Sequence, residues 1–203
     1  MLKSRYEKDD VLRLARALKP LLEAQGLGVV LTRDSDAALP IAERCRIANE
    51  AGCAYFLSLH RDAAGPAARG VGLWVHSGAD WPTVQKAQDI LTELLAVTPV
   101  RDRGVRKGTP QNYRDFGVNT GTVMASALLE LGFLTNEEDN TLFDRYLPQY
   151  AEAAARGLCR VVGIAYRAPS AGDVPRDPAR ETVRAALDEL AAALENARRR
   201  LGV

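Results

Sequence analysis

The chain has 203 residues, a length that suits one domain of ordinary size with a short appendage. Hydrophobic residues make up 47% of it and charged residues 26%, close to the average of globular proteins, which excludes an intrinsically disordered chain. Its 27 basic and 26 acidic side chains leave a net charge of +1, so electrostatics gives no reason to expect a nucleic acid or an anionic membrane as partner. No apolar run reaches the roughly 18 residues that a transmembrane helix needs, so we expect no transmembrane segment.

Predicted helices and strands alternate in the first third of the chain. Apolar residues at helical spacing predict a first helix over 8–25, and a run rich in β-branched residues predicts a strand over 28–32. A second helix is predicted over 41–52 and a buried strand over 55–60. An α/β domain usually begins with a strand, and none precedes the first helix here. We therefore expect either an unusual start to the fold or a sequence that lacks its natural beginning.

The same alternation continues to residue 166. The remaining predicted elements are a strand over 72–76, a helix over 81–95, a long functional loop over 99–121, a buried strand over 125–131, helical turns over 137–143 and a helix over 147–166. These patterns predict an α/β fold whose mostly parallel sheet is flanked by helices on both faces.

The C-terminal residues form a separate part of the predicted organisation. Residues 167–178 are rich in Pro, Gly, Ser and Asp and are interpreted as a linker. Over 179–203 the sequence predicts a helix, and its apolar residues between 183 and 201 follow a heptad pattern. That pattern fits two interpretations, self-association through 183–201 or a single amphipathic helix that docks on its own domain.

Three cysteines and two histidines limit the possible metal chemistry. Cys45, Cys53 and Cys159 are odd in number and widely spaced, which argues against a disulfide framework and against a thiolate zinc site. His60 ends a predicted buried strand, where the following loop of a parallel sheet lines the ligand crevice, so it is a candidate metal ligand or acid–base group. His76 is interpreted as a half-exposed strand residue.

Two glutamates are further candidates. Glu130 lies in an apolar run, and because an isolated buried carboxylate is costly it must meet a cation, a metal or a donor, or have a raised pKa that suits a general base. Glu7 opens the first helix, and its position alone indicates only an acid favoured by the helix dipole.

An ordered set of segments in this chain resembles the zinc-dependent N-acetylmuramoyl-L-alanine amidases. The segments are Glu7-Lys8-Asp9 at a helix start, GVVLTR over 28–33, the helix over 41–49 with Arg44, FLSLH over 56–60, RGV over 69–71, DRGV over 102–105 and LELGFLTN over 129–136. Each segment is weak alone, but their order is specific, and the resemblance covers roughly residues 2–166.

The resemblance implies a peptidoglycan hydrolase of the autolysin or endolysin kind. Such an enzyme cleaves the amide between N-acetylmuramic acid and L-alanine with a zinc-activated water. Carried over to matching positions, Glu7 and His60 would be zinc ligands and Glu130 the general base. The implied cofactor is Zn²⁺ and the implied partner is peptidoglycan.

This sequence departs from the family pattern at its beginning. The family's first histidine ligand lies in an Asp-Pro-Gly-His-Gly-Gly motif after the first strand, and this sequence contains neither. We expect a fold with its first strand missing and an incomplete zinc site, in which binding is weak or absent unless a neighbouring chain completes it.

Three interpretations of the chain follow. The favoured one is an amidase whose sequence lacks its natural beginning, because losing activity alone would not require losing a strand. The alternatives are a catalytically inactive peptidoglycan-binding module and a scaffold that assembles through the C-terminal helix. The substrate lies in the cell wall and no signal peptide is visible in residues 1–10, so the localisation stays open.

Overall fold

The computed structural model of the protein describes residues 5–109, 115–168 and 189. In chain order its elements are α1 (Glu7–Glu23), α2 (Ile41–Glu50), β1 (Phe56–Asp62), β2 (Val71–Val75), α3 (Trp81–Val97), β3 (Asp102–Lys107), α4 (Gly117–Gly121), β4 (Ser126–Phe133), α5 (Glu137–Arg145) and α6 (Leu147–Val161). The linker predicted over 167–178 and the heptad helix predicted over 179–203 lie outside the described residues, apart from 167, 168 and 189. Both therefore stay predictions.

The four described strands form one mixed sheet in the order β1-β4-β2-β3. β1 pairs with β4 and β2 with β3 in parallel, whereas β2 and β4 run antiparallel. Within residues 5–109 and 115–168, six helices accompany this sheet, which confirms the predicted α/β fold with a mostly parallel sheet.

The main core lies between one face of the sheet and a layer of helices. Helix α6 packs against α3 and α1, α3 also packs on β2, and α1 packs on β1. This core includes alternate residues of β4, namely Ala127, Leu129 and Leu131. Because strand side chains alternate between faces, Ser126 and Glu130 lie on the opposite face. There α4 packs on β4, and Ser126 Oγ donates a hydrogen bond to Asn119 Oδ1 at 3.0 Å.

Three of the described helices begin with a recognisable feature of the sequence. Helix α1 has three acids in its first turn, which suit the positive end of the helix dipole. Asp80 caps α3 by accepting a hydrogen bond from the amide of Thr83 at 2.9 Å, and Asn136 caps α5 by accepting one from the amide of Asp139 at 3.0 Å. These caps fix the first residues of α3 and α5, which follow β2 and β4 in the chain.

Two predicted elements were wrong. Residues 28–31 form no strand, because they have no hydrogen-bonded neighbour among the described residues, and a strand needs a partner to be stable. The predicted loop over 99–121 contains β3 and α4. β3 was missed because Val105 is its one apolar residue, which leaves no buried pattern to detect.

The other predicted elements agree with the structure to within a few residues at their ends. β1 and β4 both extend two residues beyond their predicted C-terminal ends, and α6 ends at Val161 instead of 166. Among the described helices, none is long and apolar enough to cross a membrane.

Candidate active site

Glu7 and His60 meet although 53 residues separate them in the sequence. Glu7 lies in the first turn of α1 and His60 lies in β1, and the packing of α1 on β1 brings them together. Glu7 Oε1 is 2.7 Å from His60 Nδ1. Both side chains are close to 40% exposed, so a ligand can reach the pair from solvent.

Buried charges beneath this pair hold α1 on the sheet. The amide of Arg61 donates to Glu7 Oε1 at 3.2 Å, and the Arg61 guanidinium donates to Asp10 Oδ2 at 2.6 Å. Asp10 and Arg61 are each 3% exposed. Arg5 donates to the same oxygen of Asp10 at 2.6 Å, and Arg61 also donates to Asn140 Oδ1 at 2.7 Å. This network fixes the first turn of α1, and with it the Glu7 carboxylate, against β1.

The surroundings of Glu7 favour its ionised form. Partial burial opposes ionisation, but hydrogen bonds from His60 and the Arg61 amide, together with the nearby positive charge, lower the pKa of Glu7 below its ordinary value. A carboxylate that stays ionised is a suitable oxygen ligand for a divalent metal.

The second ring nitrogen of His60 also has a partner. His60 Nε2 lies 3.0 Å from Ser58 Oγ, two residues earlier on the same face of β1. Because an ionised Glu7 carboxylate can only accept, a neutral His60 ring has its proton on Nδ1, and Nε2 accepts from the Ser58 hydroxyl. The ring is therefore held at both nitrogens by side chains of the site.

Glu130 lies beside His60 on the neighbouring strand. The two residues are register partners in the parallel pair of β1 and β4, so their side chains project from the same face. Glu130 is 8% exposed, which confirms that the carboxylate in the apolar run is buried. The structure thus brings together Glu7, His60 and Glu130, the three residues singled out from the sequence.

A deep groove adjoins the site. It has a volume of about 880 Å³ and lies between α1, residues 27–33 and residues 55–60, and both Glu7 and His60 line it. Most of its other lining side chains are apolar. The groove lies between residues 28–31 and β1, which are not paired with each other.

The donor set fits two ligands of a zinc site. Two ligands of one tetrahedral zinc ion, each about 2.1 Å from it, lie about 3.4 Å apart. The separation of 2.7 Å between Glu7 Oε1 and His60 Nδ1 is slightly shorter, and small side-chain rotations would open it. Within residues 5–109 and 115–168, no group of three or more His, Cys, Asp or Glu side chains is arranged to hold a metal. The described part of the chain therefore offers two adjacent donors whose chemistry fits zinc, one fewer than the three protein ligands that a catalytic zinc takes.

The remaining candidate residues lie apart from this pair. His76 has Nε2 at 3.7 Å from Asp115 Oδ2 and accepts a hydrogen bond from the amide of Gly78, at the end of β2. Cys45 and Cys159 are buried, and burial raises the pKa of both thiols.

Sequence reasoning missed Asp10 and Arg61. A signal for Asp10 was present, because it shares the buried stripe of α1 with Leu14, Leu18 and Leu22 at intervals of four residues. A charged residue on such a stripe must meet an opposite charge, and Arg61 in β1 supplies it.

Comparison with other proteins finds peptidoglycan amidases at the level of both sequence and structure. The chain is 32% identical over 168 residues to the N-acetylmuramoyl-L-alanine amidase CwlM of Bacillus licheniformis, a match that covers 80% of this chain and 62% of that protein. It is 29% identical over 178 residues to the endolysin of Bacillus phage SPP1, covering 84% of this chain and 62% of the endolysin. The chain thus spans about three fifths of the length of these two relatives.

Solved structures share its fold. The N-acetylmuramoyl-L-alanine amidase from Clostridium difficile 630 superposes with a TM-score of 0.73 at 28% identity, over 79% of this chain and 86% of that one. The amidase AmiC2 of Nostoc punctiforme gives a TM-score of 0.71 at 28% identity, over 79% and 87%. Residues 3–160 match the family described as N-acetylmuramoyl-L-alanine amidase, and the chain therefore belongs to that family.

Proposed function

We propose that this chain acts on peptidoglycan and hydrolyses the amide between N-acetylmuramic acid and L-alanine. The observation that carries the proposal is the contact of Glu7 with His60, beside Glu130, in a chain of the amidase family. A carboxylate and an imidazole at one point, with a second carboxylate next to them, are the groups that hydrolysis of an amide by an activated water requires.

Glu7 and His60 are the proposed zinc ligands. The third protein ligand would come from outside the described residues or from a neighbouring polypeptide. When bound, zinc would lower the pKa of a water molecule and polarise the scissile carbonyl. The hydrogen bond from the Arg61 amide keeps the Glu7 carboxylate turned toward His60, and Ser58 fixes the plane of the imidazole.

Glu130 is the proposed general base. Its carboxylate shares a face with His60 and is mostly screened from solvent, so it can take a proton from the attacking water and pass it to the leaving amine. The amine leaves as the N-terminus of the L-alanyl peptide.

Metal binding by the full chain tests the ligand assignment. Equilibrium dialysis at high zinc concentration should show a weak site, because the described residues offer two donors, and the His60→Ala variant should lose it because imidazole is one of them. His76→Ala is the matched control, since His76 lies at the end of β2 near Asp115, and it should leave zinc binding unchanged. Equal zinc binding by the wild type and by His60→Ala would show that these residues do not hold the metal.

Replacement of Glu130 tests its role in the reaction. Glu130→Gln should retain zinc but reduce hydrolysis of purified peptidoglycan by more than about a hundredfold, the scale of general acid–base catalysis. Glu137→Gln, which removes an exposed carboxylate from the first turn of α5, should keep full activity. The release of free L-alanyl peptides, measured by mass spectrometry, gives the rate, and full activity in Glu130→Gln would refute the assignment.

The second candidate function is binding of peptidoglycan without hydrolysis. A chain that sediments with cell walls but releases no peptide, with or without added zinc, would support this binding module over the enzyme.

A further inference from the structure

A small notch beside Glu130 is lined by two arginines. The notch lies where Glu130 of β4, Gly72 of β2 and the first half of β3 come together, and Arg103 and Arg106 form part of its wall. Glu130 is the register partner of both His60 on one side and Gly72 on the other. The notch is therefore next to the proposed reaction centre, on the side away from His60.

Gly72 leaves the space between Glu130 and β3 open. A Cβ atom at this position would lie 3.0 Å from both the Arg103 Cβ and the Gly104 carbonyl oxygen. A larger side chain would therefore fill the notch and separate the arginines from Glu130. Because Gly72 has no side chain, the two arginines and Glu130 line one continuous surface.

Within the described part of the chain, Arg103 and Arg106 have no carboxylate in direct contact, although Asp62 also lines the notch and its charge acts on Arg103. Arg103 donates to the Arg69 carbonyl oxygen at 3.5 Å and Arg106 donates to the Arg103 carbonyl oxygen at 3.0 Å. Neither forms an ion pair with any of the described carboxylates. Asp102, the acid directly before Arg103 in the sequence, instead accepts a hydrogen bond from the amide of Gly104 at 2.7 Å.

Aromatic rings hold both guanidinium groups in place. The Arg103 Cζ lies 4.7 Å from the centre of the Phe133 ring, and the Arg106 Cζ lies 5.5 Å from the centre of the Trp74 ring. Stacking on a ring restrains the long side chain and leaves the edge of the guanidinium, with its N–H donors, free for a planar anion. Partial burial and then the charges of Arg106 and Arg101 lower the pKa of Arg103, although the charge of Asp62 opposes them.

We propose that Arg103 and Arg106 bind a carboxylate of the stem peptide, on the amine side of the amide that is cleaved. This proposal rests on the proposed function and adds a determinant of substrate choice to it. The carboxylate that fits is the α-carboxylate of the D-glutamate that follows L-alanine, because it lies within about 7 Å of the scissile nitrogen in an extended peptide. Two strand spacings, about 10 Å, separate the backbones of β4 and β3, and the arginine side chains that line the notch with Glu130 cover the remaining distance to such a carboxylate.

The α-carboxylate of this D-glutamate can be replaced by an amide without other change to the peptide, and this provides the test. The full chain is titrated with two muramyl tripeptides, N-acetylmuramyl-L-alanyl-γ-D-glutamyl-L-lysine amide and its D-isoglutaminyl counterpart. A charge-assisted hydrogen bond should make the free carboxylate form bind about tenfold more tightly than the amidated form. In Arg103→Gln and Arg106→Gln this preference should fall to about twofold or less, with little change for the amidated form.

Arg101→Gln is the matched control. It removes the same charge from an exposed side chain just before β3 and outside the notch, so it should keep most of the preference. Equal binding of both tripeptides by the wild type, or an unchanged preference in both notch variants, would overturn this proposal and leave the proposed function standing. If neither tripeptide binds at millimolar concentration, both this proposal and the proposed function are overturned.

Discussion

Arg61 and Arg103 each stack on a phenylalanine ring, yet only Arg61 has its charge compensated by a carboxylate in direct contact. The Arg61 Cζ lies 4.4 Å from the centre of the Phe143 ring, and the Arg103 Cζ lies 4.7 Å from that of Phe133. Arg61 is buried and paired with Asp10, whereas Arg103 is partly exposed and makes no ion pair with the described residues.

This difference implies different roles for the two arginines: Arg61 stabilises the site, whereas Arg103 is available to a ligand. A buried guanidinium cannot exchange its partner without leaving an uncompensated charge, so Arg61 acts on the substrate only through the position of Glu7. A partly exposed guanidinium without a carboxylate partner can take one from a ligand at little cost to stability. We therefore expect substitutions in the Arg61 network to change folding, and substitutions in the notch to change binding.

Asp10→Ala should have the largest effect on stability. It leaves the buried Arg61 without its carboxylate, and breaking a buried pair in this way typically costs about 3–5 kcal/mol. Asp9→Ala removes an exposed acid from the same helical turn and should cost about 0.5 kcal/mol or less. Urea unfolding curves of the two variants measure the difference, and equal midpoints would show that the buried pair does not stabilise the fold.

Arg103→Gln should have a much smaller effect on the same measurement. It loses the stacking on Phe133 and one long hydrogen bond to a carbonyl, and we expect the free energy of unfolding to fall by about 1 kcal/mol or less. A loss comparable with that of Asp10→Ala would break the distinction between the two arginines. In that case a weakened affinity for the tripeptide could no longer be ascribed to the notch.

Periodicity in the sequence was enough to predict the elements that form the core. The strands β1, β2 and β4 have apolar runs, and α1 and α3 have apolar residues at helical spacing, so burial left a clear pattern in each. Residues 28–32 have the β-branched composition of a strand but pair with no described strand. β3 pairs with β2 but lacks the apolar composition typical of a strand. Pairing between strands is a property of the whole fold, which a local pattern does not contain.

The candidate site was predictable in part. Glu130 was recognisable from its sequence because a carboxylate in an apolar strand needs a reason to be there. Glu7 was not, since an acid at the start of a helix is ordinary, and only the resemblance to the amidase family connected it with His60. Arg103 lies in the DRGV segment that contributed to the resemblance, but nothing local assigns Arg103 or Arg106 to the site, because their significance depends on Gly72 lying between them and Glu130.

The outermost ion pair of the Arg61 network should have the smallest effect. Asp144 accepts hydrogen bonds from Arg5 at 2.8 and 3.1 Å and from Arg13 at 3.0 Å. The hydrogen bond from Arg5, with that from Arg13 and both positive charges, outweighs partial burial and lowers the pKa of Asp144. Because its side chain is half exposed, solvent screens the pair, and Asp144→Asn should cost less than about 1 kcal/mol at pH 7.

The pH dependence of the stability lost in Asp144→Asn shows whether Asp144 acts through its charge or through its packing. A carboxylate whose pKa is lower in the folded state stabilises the protein above its unfolded pKa of about 3.9, and this stabilisation is lost as the pH falls through the folded value. The difference between the wild type and Asp144→Asn, measured by urea unfolding, should therefore shrink as the pH is lowered from about 5 to 3. It should also shrink at pH 7 in about 1 M salt, since the pair is exposed enough to be screened. A difference that stays constant with both pH and salt would mean that Asp144 acts through packing, and the contrast with the notch would then rest on the pair of Asp10 and Arg61 alone.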